Sequence, residues 1–298
     1  MSHPEAWRLR LRISPNCEKT VQKKEIEFVA DNTSQTNSIG PADLESLLQG
    51  AFLANVIHFR ETDSTNTRAI ELLAARDSVT TPCLVYAESQ FAGRGRGANQ
   101  WWSTGGSLTF SLIVDLKRIG LSVDQIPLLP LLTGMAILRT GAAMLPGADF
   151  KLKWPNDVFL VGRKLAGVLI EVPSQADAHA VIGVGLNVNN SFANAPEELS
   201  FTGISLSDQL GVKLSRIEVL RILFEQFEVL LNSLAAGEGV FDHWTDRCLL
   251  TGKQVTLQAG AKRVVGRCHG IDVNGALLLE TKSGMQRFFG GVVESWES

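Results

Sequence analysis

Cysteine is scarce in this 298-residue chain: Cys17, Cys83, Cys248 and Cys268 lie far apart, and no C-x-x-C pair occurs. That spacing argues against a disulfide framework or a thiolate zinc site and fits reduced thiols in a cytoplasmic protein. A basic excess is also lacking. Lys and Arg number 28 against 31 Asp and Glu, a net charge of −3, which speaks against a protein that coats nucleic acid, because phosphate binding needs surplus positive charge. No G-x-x-x-x-G-K-[ST] phosphate loop, internal repeat or low-complexity tract is present. The first 13 residues carry Arg8, Arg10 and Arg12 but no apolar run long enough for a signal peptide. One segment, Ile126 to Leu145, imitates a membrane span; Pro127, Pro130 and Arg139 favour a buried helix instead, so no membrane association is expected.

What is there is ordinary in bulk. A hydrophobic share of 45% with 20% charged residues suits one large globular domain, or a medium one with a small one. Residues 1–41 read as a tail and linker, too short and too poor in helical pattern for a winged helix-turn-helix, so no DNA-reading module is expected. Pro41 opens a short helix with Leu44, Leu47 and Leu48 on one side, and Val56 to Phe59 reads as a strand. Asp63 or Ser64 caps a helix that runs through Ile70, Leu72 and Leu73. Either that is the whole role of the segment, or Ser64, Thr65 and Asn66 turn their remaining polar groups to a small ligand.

The chain is organised around Ala92-Gly93-Arg94-Gly95-Arg96-Gly97-Ala98, between strand-like runs at Cys83–Ala87 and Leu108–Val114. Glycines at alternate positions let backbone approach a ligand closely, and two guanidinium forks suit carboxylate or phosphate oxygens. The plain alternative is a turn with solvated charges. Trp101 and Trp102 follow at once. A buried helix from Leu128 to Met144 precedes a strand at Phe150–Trp154, a hairpin with its turn at Gly162-Arg163, a return strand from Lys164 to Glu171, and a glycine-spaced strand at 181–188. Ser215 and Glu218 form an S-x-x-E capping box before a long amphipathic helix that ends near Gly237. Beyond about residue 250 short strands at 254–258, 263–271, 276–281 and 286–289, with Asn274-Gly275 as a hairpin turn, suit a small β-barrel.

The polar residues of these segments form one set: Arg94, Arg96, Lys153, Asn156, Asp157, Lys164, Glu171 and Asn187. Lys164 is either a solvated strand-end lysine or, one hairpin from Asp157, a cation placed where a carboxylate meets a polyphosphate. Asp157 is the candidate to hold the magnesium that accompanies ATP. G-R-G-R-G has no following helix, which disfavours a dinucleotide oxidoreductase.

Five segments in order carry a resemblance: D-S-T-N (63–66), A-E-S-Q-F-A-G-R-G-R-G (87–97), K-W-P-N-D (153–157), R-K-L-A-G-V-L-I-E (163–171) and G-V-G-L-N-V (183–188). Over residues 42–298 the chain resembles the biotin–protein ligases, also called biotin–[acetyl-CoA-carboxylase] ligases, of the type without a DNA-binding domain. The resemblance implies an α+β fold: a class II synthetase-like catalytic domain, a mixed sheet with helices, over 42–249, then an SH3-like β-barrel over 250–298. It implies activation of biotin by Mg-ATP to biotinyl-5′-AMP and transfer to a lysine of a biotin carboxyl carrier protein, by a cytoplasmic monomer or homodimer. Carried over by position, Ser64, Thr65, Asn66 and Gln90 bind biotin, Gly93, Arg94, Gly95 and Arg96 form the loop over biotin and adenylate, and Trp101 and Gly167 line the adenylate. Lys164 is the main catalytic side chain, with Arg94, Arg96 and Asp157 beside it; Lys153, Asn156, Asp157 and Asn187 serve the nucleotide, Asp157 also the metal. Ala98 stands where a glycine is common, Gly290-Gly291-Val292 lacks an acidic residue often found there, and no DNA-binding domain is visible, so autoregulatory repression is not expected. A lipoate–protein ligase and a non-catalytic biotin sensor are the alternatives.

Overall fold

Seven strand-forming segments between residues 55 and 186 meet in one sheet. A computed structural model describes residues 39–50, 52–75, 79–173, 178–193, 195–238, 240 and 244–297; the expected N-terminal tail, up to residue 38 and including Cys17, lies outside them. The sheet has seven strands, β1 (Asn55–Thr62), β2 (Cys83–Gln90), β3 (Leu108–Asp115), β4 (Phe150–Lys153), β5 (Asp157–Leu160), β6 (Arg163–Glu171) and β7 (His179–Leu186). Their order is β1-β2-β3-β7-β6-β5-β4. β1 and β2 run parallel and every other neighbouring pair antiparallel, so the sheet is mixed, as expected.

The described helices are α1 (Pro41–Ser46), α2 (Thr65–Ala74), α3 (Leu129–Met144), α4 (Glu197–Thr202), α5 (Leu206–Leu210), α6 (Arg216–Ala235) and α7 (Trp244–Arg247). Strand alternation sorts side chains onto two faces. Leu84, Tyr86, Leu108, Phe110, Leu112, Ile182 and Val184 join the main core with α3 and α6. Cys83, Val85, Ile113 and Val181 point the other way, against Ala69 of α2. The segment Val123–Met144 is apolar and long enough to cross a membrane, with mean hydropathy 1.4. Here it is a core element: Leu129, Leu131, Leu132, Ile137 and Leu138 are all buried, each worth about 1.5–3 kcal/mol.

Several local expectations need correction. Leu48 does not join Leu44 and Leu47 in the core but is exposed, because helix α1 gives way to a 3-10 turn at Leu47 that rotates the following residue outward. Ser215 Oγ accepts the Glu218 N–H at 3.4 Å, yet Glu218 turns its carboxylate to Arg221 at 3.1 Å, so only half of the capping box forms. The β5–β6 turn is Val161-Gly162, both at positive φ, one residue earlier than expected.

After residue 250 come β8 (Gln254–Ala259), β9 (Lys262–Ile271), β10 (Leu277–Thr281), β11 (Gly284–Phe288) and β12 (Val292–Glu297), antiparallel in the order β11-β10-β9-β8-β12. β12 has no counterpart among the expected strands. Among the described residues no ladder joins β11 to β12, so hydrogen bonds do not close this sheet into a barrel. It is tied to the larger sheet: Leu249 N–H donates to the Leu152 carbonyl at 2.7 Å, and buried Trp154 Nε1 donates to the Gly275 carbonyl at 3.0 Å. Cys83, Cys248 and Cys268 are free, buried thiols.

Candidate active site

The site lies on the α2 face of the sheet, and strand register explains its shape. Ser111, Gly183 and Leu169 form one cross-strand row on β3, β7 and β6; Thr109, Gly185 and Gly167 form the next. Each row has a glycine on the central strand, and a side chain from elsewhere occupies the room. Asn66 lies over Gly183, where an added Cβ would fall 2.1 Å from its Oδ1; the Trp101 indole lies over Gly185, where a Cβ would fall 2.2 Å from Cε2.

Helix α2 supplies one wall. Ser64 is its N-cap residue, in extended conformation, but its hydroxyl makes no capping bond. The neighbouring Asp63 accepts from the Ser64 N–H at 2.7 Å, from Thr62 Oγ1 at 2.9 Å and from Arg68. Burial alone would raise the Asp63 pKa, but these hydrogen bonds and the Arg68 charge hold it below the ordinary 3.8. The Thr65 N–H donates to Gln90 Oε1 at 2.7 Å, and Ser111 Oγ lies 2.8 Å from Thr65 Oγ1 while donating to Asn66 Oδ1 at 2.5 Å. Ser64, Thr65, Asn66 and Ser111 are all buried, so the sequence-expected polar group forms a buried hydrogen-bonded floor on the sheet, not a solvated cap.

The glycine loop closes over this floor. Trp101 N–H donates to the Gly93 carbonyl at 2.9 Å, so tightly that a Cβ on Gly93 would sit 2.5 Å from the Trp101 carbonyl oxygen. Arg94 is ion-paired with Glu171, and Arg96 donates to the Gly291 carbonyl at 2.6 Å, a contact with the C-terminal sheet made by main chain where an acidic side chain is absent. Trp101 Nε1 is buried without a hydrogen-bond partner.

Beyond the loop a second group forms around one carboxylate. Lys164 Nζ lies 2.8 Å from Asp157 Oδ1, with Gly167 between them. A β-bulge makes this possible. Asp157 pairs with Gly167 and Val158 with Ala166, but Phe159 pairs with Lys164, leaving Leu165 as the extra residue. Without it Lys164 would point to the opposite face. Lys153 shares the face, its Nζ 4.4 Å from the centre of the Trp296 ring of β12. Desolvation lowers the Lys153 and Arg96 pKa values, and the Asp157 charge partly restores both. Lys164 contacts Asp157, and the same carboxylate acts electrostatically on Arg96 and Lys153, an arrangement with a surplus of positive charge that suits an anion. Asn187 is buried; its Nδ2 points to the Lys164 carbonyl at 3.4 Å, and its Oδ1 accepts from Asn190 at 3.1 Å. Asn156 directs its amide to the Val168 carbonyl at 2.8 Å, bracing β6.

Residues 58–189 match the biotin/lipoate A/B protein ligase family, and residues 250–296 match the biotin protein ligase C terminal domain. A biotin--[acetyl-CoA-carboxylase] ligase of Paracoccus denitrificans is 30% identical over 242 residues, covering 77% of this chain and 98% of that protein. The chain belongs to the biotin protein ligase family. A bifunctional ligase/repressor BirA of Bacillus spizizenii is 31% identical over 236 residues, 78% of this chain and 71% of that protein. Among solved structures, the biotin protein ligase of Aquifex aeolicus in complex with biotin and ATP superposes with a TM-score of 0.68 at 28% identity, over 82% of this chain and 99% of that one.

For this family member the structure brings together nearly all the residues expected from sequence, in two groups under one loop. Sequence reasoning passed over Ser111 and Trp296, and it named Gly291 only for the acidic residue missing beside it, not for its carbonyl. Ser111 had a signal: Thr109 and Ser111 alternate in the otherwise apolar Leu108-Thr109-Phe110-Ser111-Leu112, marking the one face of β3 that has to meet polar groups.

Proposed function

We propose that the chain activates biotin with ATP and transfers it to a lysine of a biotin carboxyl carrier protein. The observation that carries this reading is the adjacency of two unlike sites: a buried polar floor (Ser64, Thr65, Asn66, Gln90, Ser111) and a cationic cluster (Arg96, Lys153, Lys164), both under one glycine loop. The floor suits the ureido ring, which brings both N–H donors and a carbonyl acceptor. The cluster suits the place where the biotin carboxylate oxygen bonds to the α-phosphorus of ATP and pyrophosphate departs. Lys164, ion-paired with Asp157, stabilises the charge that grows on the phosphoryl oxygens, and Arg96 adds to it. In the second step the acceptor amine bonds to the biotinyl carbonyl carbon and AMP leaves. Trp101 and the loop keep water from the mixed anhydride. Asn187, whose buried amide contacts the Lys164 carbonyl, is assigned to the nucleotide side of the site.

Magnesium fits the donor set in a limited way. The ion is commonly held by one or two carboxylates plus substrate phosphates, and Asp157, which faces the cluster, is the carboxylate offered. It would supply charge neutralisation on the phosphates. The free thiols and the ATP requirement suit the cytoplasm. The family model that spans residues 58–189 includes lipoate ligases, but the match over residues 250–296 favours biotin.

The test is transfer of labelled biotin to a biotin carboxyl carrier domain, with ATP and magnesium, by wild type and Lys164→Ala. Labelling by wild type that is lost in the variant is expected. Transfer of lipoate in place of biotin would reverse the substrate assignment, and biotin binding with no transfer would point to a sensor.

A further inference from the structure

Glu171 ends β6 and has no part in the roles described above. One of its oxygens takes the Arg94 guanidinium from the glycine loop, and the other accepts Asn66 Nδ2 at 2.8 Å. Through Asn66, Ser111 and Thr65 a continuous polar path runs on to Gln90, so the residue before the loop and an arginine within it hang on one chain of hydrogen bonds.

A carboxylate only accepts hydrogen bonds. Glu171 therefore fixes the Asn66 amide with its NH2 toward β6, the second hydrogen facing the Leu169 carbonyl at 3.4 Å, and with Oδ1 toward Ser111. One Oδ1 lone pair remains, suited to an N–H donor of a ligand. A neutral side chain that both donates and accepts at position 171 would permit the flipped amide. The charge of Glu171 also draws Arg94 down onto the sheet. That ion pair is partly exposed and contributes little to stability, so its consequence is geometric.

We infer that Glu171 is a positioning residue of the pocket, setting the orientation of the Asn66 amide and clasping the glycine loop through Arg94. The inference rests on the reading of that pocket as the biotin site.

The experiment measures the dissociation rate of labelled biotin, and KM for biotin and for ATP, on the full chain carrying Glu171→Gln, Arg94→Ala or both. Glu171→Gln is expected to speed biotin dissociation about fivefold, the effect of one partly exposed ion pair, and to raise KM for biotin with KM for ATP unmoved. The double variant should be no faster than the faster single one, because both remove the same clasp. If Glu171→Gln does not fold, Arg94→Ala reads the clasp from the exposed loop side. Dissociation within twofold of wild type, equal changes in both KM values, or additive effects would overturn the inference. Wild type that fails to bind biotin at all would overturn the site reading, and the inference with it.

Discussion

Gly183 is the position where the smallest change should have the largest consequence for the pocket. A methyl group there would fall 2.1 Å from Asn66 Oδ1, 2.8 Å from Cγ and 2.9 Å from Nδ2. Asn66 has to withdraw by roughly 1 Å to restore contact distance, which takes its hydrogen bonds out of range. The bond from Ser111 is worth about 1 kcal/mol and the charge-assisted bond to Glu171 about 1.5–3 kcal/mol. Alanine in mid-strand recovers about 0.5–1 kcal/mol relative to glycine. Gly183→Ala should therefore lose about 1.5–3.5 kcal/mol in urea denaturation and bind biotin at least tenfold more weakly in titration. Gly290→Ala, with open space around its Cβ and no left-handed φ, is the stability control. The decisive variant is Asn66→Ala combined with Gly183→Ala: with the amide gone the clash is relieved, so the double variant should be no less stable than Asn66→Ala alone. Additive losses, or unaltered biotin binding by Gly183→Ala, would refute the packing argument.

Three further outcomes follow from other contacts. Trp296→Ala removes the ring 4.4 Å from Lys153 Nζ; with a cation–π contact worth about 1 kcal/mol, KM for ATP should rise about fivefold while biotin affinity holds. Arg216 is buried and donates to Tyr86 Oη, the Ser107 carbonyl and Glu88. Arg216→Met should cost about 3 kcal/mol in chemical denaturation, and adding Glu88→Gln should recover part of it, because the first change leaves a partly buried carboxylate without its guanidinium. Asp63 has a folded pKa below 3.8, so the stability it contributes is complete above that pH and is lost as pH falls through the depressed value. Asp63→Asn should accordingly lose stability less steeply than wild type when denaturation is followed below pH 3.8.

Much of this was legible in the sequence because it rests on local rules. Short apolar runs and alternating residues gave the strands, the apolar run at 128–144 gave a core helix, and G-R-G-R-G gave a loop that has to come close to something. What stayed hidden depends on long-range register. Nothing in Val292-Val293-Glu294-Ser295-Trp296-Glu297 announces that Trp296 covers a lysine more than a hundred residues earlier, or that Gly291 offers its carbonyl to Arg96. Those contacts arise only after two sheets dock.

The position of Lys164 shows how fine that dependence is. Period-2 alternation places Lys164 and Gly167 on opposite faces of β6, so a regular hairpin would aim the lysine away from the floor. The bulge at Leu165 reverses the face, and Leu165, fully buried in the main core, holds the bulge in place. The side chain that anchors the fold at this point is thus also what turns the neighbouring cation toward Asp157. Glycines at 167, 183 and 185 then leave the space into which cation, amide and indole extend. In this chain the chemistry is assigned by familiar motif residues, but their convergence is produced by one inserted residue and three missing side chains.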